Sequence, residues 1–134
     1  MSGVHVRVRA GGEHYALPVE GVREIGRRDR ITPVPGAPAA VLGVWNLRGD
    51  VIVAVDLASL LGLDPQGEAG IIVVAEDRGT QAGFAVEAVL DVETLTAIEP
   101  ADSELLEGAA LVEQTPVGIV DLGALLDAVA AVPR

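Results

Sequence analysis

The chain repeats itself, and that restricts what it can fold into. At an offset of 67 (Val19 to Val86), Leu17-Pro18-Val19-Glu20-Gly21-Val22 lies over Phe84-Ala85-Val86-Glu87-Ala88-Val89. The same offset sets the turn glycine Gly12 over Gly79 and the stretch Val4–Arg9 over Ile71–Glu76. At an offset of 65 (Asp56 to Asp121), Val55-Asp56-Leu57-Ala58-Ser59-Leu60-Leu61 lies over Val120-Asp121-Leu122-Gly123-Ala124-Leu125-Leu126, with five of seven positions identical. Matches of Val and Leu come easily in so apolar a chain. A shared order of strand, glycine turn, strand and Asp-capped helix does not. The chain therefore divides into two related β-subdomains, residues 1–66 and 70–134, with terminal strands free to cross between them. Each half, at about 60–65 residues, is near the lower limit for independent folding, so each needs the other's apolar face.

Within the first half, Val41 to Leu63 carries the most structure. Val41–Leu47 reads as a strand and Arg48-Gly49-Asp50 as a turn, since Gly49 accepts φ > 0. Val51–Val55 is an apolar, largely β-branched run, the pattern of a strand buried on both faces. Asp56 suits a helix N-cap, Leu57, Leu60 and Leu61 share one helical face, and Gly62 suits the stop. Upstream, Val4, Val6 and Val8 alternate with His5, Arg7 and Arg9 as in a half-buried strand. His14–Val19 is a second strand that Val22–Ile25 continues after a bend. Pro33, Pro35 and Pro38 make the next segment an extended connection. Asp64–Gly70 reads as a polar loop. In the second half, Ile71–Ala75, Gln81–Leu90 and Val92–Ile98 read as strands, Ala109–Glu113 and Val117–Val120 as a hairpin, and Asp121–Ala131 as a capped helix.

Composition narrows the function. Half of the residues are hydrophobic but only Tyr15, Trp45 and Phe84 are aromatic, so the core is aliphatic. There is no cysteine, which excludes disulfides and thiolate metal sites and suits a reducing compartment. No signal-peptide core and no run of about 20 apolar residues is present, which argues against direct membrane insertion. The net charge of −11 disfavours nucleic-acid binding, because a phosphate backbone needs a positive surface. A small-barrel nucleic-acid module would also need aromatic stacking platforms that this chain lacks. All nine basic residues are Arg, and seven fall in residues 1–48.

Enzymatic signals are weak. Asp56 and Asp121 are related by the repeat, as the paired carboxylates of aspartic proteases are, but they are followed by Leu-Ala and Leu-Gly rather than Thr or Ser and then Gly. Helix capping explains both. His5 and His14 show no metal-ligand spacing, Ser59 and Ser103 have no nearby histidine, and no nucleophile elbow, dinucleotide fingerprint or P-loop exists. No catalytic residue, metal or cofactor is expected.

Gly43-Val44-Trp45-Asn46-Leu47-Arg48-Gly49, followed by a strand ending in Val55-Asp56-Leu57, resembles the motif of the CheW family of chemotaxis coupling proteins. The resemblance extends through Tyr15–Ile25, Ile31–Pro38 and Gly83–Val92. It implies an all-β fold of two packed five-stranded SH3/OB-like β-barrels with short helices. It also implies a cytoplasmic, non-enzymatic adaptor, recruited to membrane-associated chemoreceptor arrays. Its partners would be the cytoplasmic tip of a methyl-accepting chemoreceptor and the regulatory domain of a CheA-type histidine kinase. A specialised adaptor of a non-flagellar chemosensory pathway would carry the same motif. The resemblance places partner contacts at Val22, Glu24, Gly43, Val44 and Arg48. Trp45 stands where an aliphatic residue is usual in the family, and either adds to the core or sits beside Arg48 as an interface hot spot. Arg48 is also a physically suitable anchor, a planar five-donor group on a rigid turn.

Overall fold

The computed structural model describes residues 2–64 and 68–131. Among them the chain forms ten strands and two short helices. The first half holds β1 (Ser2–Ala10), β2 (Glu13–Pro18), β3 (Val22–Arg27), β4 (Val41–Leu47), β5 (Asp50–Asp56) and α1 (Leu57–Leu60). The second holds β6 (Ile71–Asp77), β7 (Thr80–Val86), β8 (Ala88–Thr96), β9 (Leu106–Val112), β10 (Thr115–Val120) and α2 (Leu122–Ala130).

The strands make two five-stranded sheets, ordered β8-β1-β2-β10-β9 and β3-β6-β7-β5-β4. Written with the repeat in mind, the two orders are the same, because β6 to β10 stand where β1 to β5 stand. Neither sheet belongs to one half. Each half gives its first hairpin to one sheet and its last three strands to the other, so the sheets cut across the division at 1–66 and 70–134. Irregularities repeat as well. Ala54 faces Gly83 across the parallel β5–β7 pair, as Ile119 faces Ala16 across β10–β2. The β3–β6 register slips between Val22 and Glu24, and the β1–β8 register slips at the matching place, between Arg7 and Val8. Each sheet then closes on itself. Thr32, beyond β3, bridges Val44 of β4, and Glu99, beyond β8, bridges Ala109 of β9.

A central core lies between the sheets. Val6, Val8, Tyr15 and Leu17 of β1 and β2 pack with Val73, Ala75, Phe84 and Val86 of β6 and β7, joined by leucines of both helices. The opposite faces line the barrel interiors. One barrel is filled by Trp45, Ile52, Ile72, Val74 and Ala85, the other by Ala16, Leu95, Ala110, Val117 and Ile119. Burying both faces of β6 explains the unbroken apolar run Ile71–Ala75.

Four details differ from the sequence reading. The polar face of β1 is only partly solvated: His5 is buried and Arg7 half-buried, while Arg9 is exposed. Val51 is 68% exposed, so β5 is buried on both faces only from Ile52 onward. β3 does not extend β2, because a single 3-10 turn at Val19–Gly21 carries it to the other sheet. Likewise Gln81–Leu90 breaks at Glu87, and Val92 continues β8 rather than starting a strand. The Asp caps form as expected, with Asp56 accepting from the Ser59 N–H (3.2 Å) and Asp121 from the Ala124 N–H (3.1 Å). Of the polar loop after α1, residues 65–67 lie outside the described residues, and Ala69 is buried.

Candidate functional site

The candidate residues converge on the seam where β3 and β4 close the second sheet. The β4–β5 hairpin turns through Arg48 (φ 52°) and Gly49 (φ 89°). For an L-residue such as Arg48 this left-handed conformation costs about 1–2 kcal/mol. The turn is held from within, the Gly49 N–H donating to Asn46 Oδ1 at 3.1 Å. Arg48 stands 77% exposed at the tip, and its Nη2 donates to Glu24 Oε1 of β3 at 3.3 Å. Glu24 is 28% exposed. An ion pair this open to solvent stabilises the fold by at most about 1 kcal/mol.

Further along the seam, the Val44 carbonyl and amide both bond to Thr32, at 2.8 and 2.9 Å. Gly43 makes that approach possible: a side chain there would run into the Thr32 carbonyl. Trp45 is only 8% exposed and lies over Gly26 of β3, where an added methyl would sit 2.5 Å from the indole Cη2. Five of the six expected residues (Glu24, Gly43, Val44, Trp45 and Arg48) thus share one seam. Val22 begins β3 at the register slip and packs, half-buried, on the central core.

The six divide by exposure. Arg48 and part of Glu24 face solvent, Val44 and Val22 are half-buried, and Gly43 and Trp45 are buried. Trp45 therefore takes the core role of the two that its sequence position leaves open. The sequence reading passed over three exposed aliphatic side chains on the same elements: Ile25 of β3, Val34 in the following loop and Val51 of β5. Ile25 was findable, since it alternates with Arg23 and Arg27 on the outward face of β3.

A second concavity lies between the barrels. It measures about 910 Å³ and is lined by His5, Glu20, Arg23, Asp77 and Glu107 beside the N-terminus of α2. The matching place beside α1 is nearly closed, and there Leu63 and Ala58 both lie close against Gly11. Asp56 and Asp121 are engaged at their own helix ends. No group of three or more potential metal ligands occurs among the described residues. The seam thus leaves Arg48 exposed at the hairpin tip, with the exposed aliphatic side chains Ile25 and Val51 on β3 and β5.

Residues 5–130 match the family model described as the CheW-like domain. The chain belongs to the CheW-like family. It is 31% identical over 131 residues to a probable chemotaxis protein CheW of Rhizobium etli, covering 90% of this chain and 84% of that protein. It is 33% identical over 128 residues to the chemotaxis protein CheW of Bacillus subtilis, covering 87% and 81%. Its fold matches the crystal structure of the scaffolding protein TtCheW from Thermoanaerobacter tengcongensis with a TM-score of 0.81, at 30% identity and over 93% and 92% of the two chains. The chain thus has the expected all-β fold of two five-stranded barrels, with Arg48 beside a barrel-closing seam.

Proposed function

We propose that this protein is a non-enzymatic adaptor that couples the cytoplasmic tip of a chemoreceptor to the regulatory domain of a CheA-type histidine kinase. The observation that carries the reading is Arg48. It projects from a strained, internally braced turn in a member of a chemotaxis scaffold family. Its ion pair adds little to stability, which leaves the guanidinium free to serve a partner carboxylate or carbonyl. Ile25 and Val51 supply apolar area on the same elements. Among the described residues no helix is long and apolar enough to cross a membrane, so in this reading the receptor brings the protein to the array from the cytoplasm.

The test is binding of purified protein to the kinase regulatory domain and to a receptor-tip fragment. Arg48→Glu should weaken capture of at least one partner by more than about 1 kcal/mol, the scale that separates anchors from ordinary contacts. Unchanged affinity for both would remove Arg48 from the site.

A further inference from the structure

We propose that Trp45 is the positioning residue of the Arg48 site. Its indole, seated on Gly26, holds the β3 edge against the β4–β5 hairpin so that Glu24 and Arg48 meet. The inference rests on the reading of Arg48 as a partner anchor and adds what keeps that anchor in place.

Three observations carry it. First, the seam has little backbone support: among the described residues Thr32–Val44 is the one bridge recorded between β4 and the chain that leaves β3. Beyond it, side chains must hold the two edges together. Trp45 over Gly26 comes next, and Arg48 with Glu24 follows at the open end. Second, the exposed ion pair is too weak to fix the strands, so order has to pass from the buried contact outward to the pair. The indole, packed with Ile52, Ile72 and Val74, is the large rigid group available for that.

Third, the other barrel supplies an internal control. By the repeat, Trp45 corresponds to Ala110 and Gly26 to Glu93, so there the bulk comes from the opposite strand. Above that seam stand Asp91 and Glu113, two acids where this seam has Glu24 and Arg48. Indole, glycine seat and ion pair occur together in one barrel and are replaced together in the other.

The deciding experiment is a double-mutant cycle of Trp45→Ile and Arg48→Ala. The probe is the purified regulatory domain of a CheA-type kinase, with a receptor-tip fragment titrated in parallel. Each single variant should bind about fivefold or more weakly, and the double variant no more weakly than Arg48→Ala alone. Trp45→Phe, which keeps a ring on Gly26, should bind nearly as the wild type does. Independent, multiplicative losses would overturn the positioning role. Should Trp45→Ile fail to fold, Gly26→Ala displaces the ring and should show the same coupling. If Arg48→Ala binds both partners normally, the partner reading fails by itself. Positioning is then read from side-chain ¹⁵N relaxation of Arg48 in the free protein. Trp45→Ile should make that side chain more mobile, and unchanged order there would overturn the inference.

Discussion

The two barrels share a backbone plan and fill it differently. In the second barrel, Trp45 of β4 rests on Gly26 of β3, and β6 contributes Ile72 and Val74. In the first, the matching positions are Ala110, Glu93, His5 and Arg7. There Arg7 donates from Nε to Glu93 at 2.7 Å, with the two side chains only 16% and 20% exposed, and from Nη1 to His14 at 3.0 Å. One barrel is plugged by an indole, the other by a guanidinium–carboxylate pair. The volume moves from one edge strand to the opposite one, and register slips and bridges stay in place. The difference teaches that the central core between the sheets sets the architecture, while each barrel interior has only to be filled and its polar groups satisfied. Among the described residues no buried side-chain N or O lacks a partner.

The hairpin tips extend the comparison. Arg48-Gly49 and Glu113-Gln114 occupy the same left-handed turn, with φ of 52° and 89° against 50° and 70°. The turn geometry tolerates either charge. The arginine is therefore not a requirement of the fold, which strengthens the case that it serves a partner.

The comparison can be broken at several points. The largest effect should come from the shared core. Phe84→Ala should cost about 3–5 kcal/mol, and it should destabilise both barrels in one cooperative transition. Hydrogen exchange that rises in one barrel and not the other would show that the barrels fold separately.

A middle-sized effect tests the two fillings. Glu93→Ala leaves Arg7 partly buried without its carboxylate and should cost about 1–2 kcal/mol by chemical denaturation. Grafting the other barrel's solution, with Arg7→Val, Glu93→Gly and Ala110→Trp together, should recover much of that loss, since a buried pair replaced by fitting apolar groups is often neutral or better. A triple variant less stable than Glu93→Ala would mean that the barrels are not interchangeable in this way.

The smallest effect is on pH dependence. Burial first, and then the Arg7 and Arg9 charges, hold the His14 pKa below its ordinary 6.5, against a partial pull from Glu13 and Glu93. A histidine whose folded-state pKa is depressed takes up protons more readily when unfolded. Its contribution is thus complete above about pH 6.5 and is lost as pH falls below that value. Acidification should also cost the Arg7–His14 hydrogen bond, because Nδ1 can accept only while unprotonated. His14→Gln, which installs the residue found at the matching Gln81, should flatten the stability profile between about pH 7 and 5.5. An unchanged slope would remove His14 from the balance.

Much of this was legible without coordinates because it is local chemistry. The Asp caps, the glycine turns, the hairpin around Arg48 and α2 each depend on residues within a few positions of one another. The repeat and the family motif carried the number of barrels and the choice of Arg48. The break at Glu87 was hidden because Val86, Ala88 and Val89 continue an apolar pattern across it. The partial burial of Arg7 was hidden because its alternation with valines is also the signature of a solvated strand face. Its partner Glu93 lies 86 residues away.

The sequence by itself determined most of the elements, their order, their duplication and the polar side chain the fold does not need, but not the breaks at Val19–Gly21 and Glu87. Only the tertiary structure decided which strands share a sheet, that the halves exchange hairpins, and that Trp45 lies beneath the Arg48 seam rather than on its surface. The physical reason is range. A cap or turn is satisfied by its neighbours, whereas strand pairing and barrel filling depend on side chains that become neighbours only once the chain has folded.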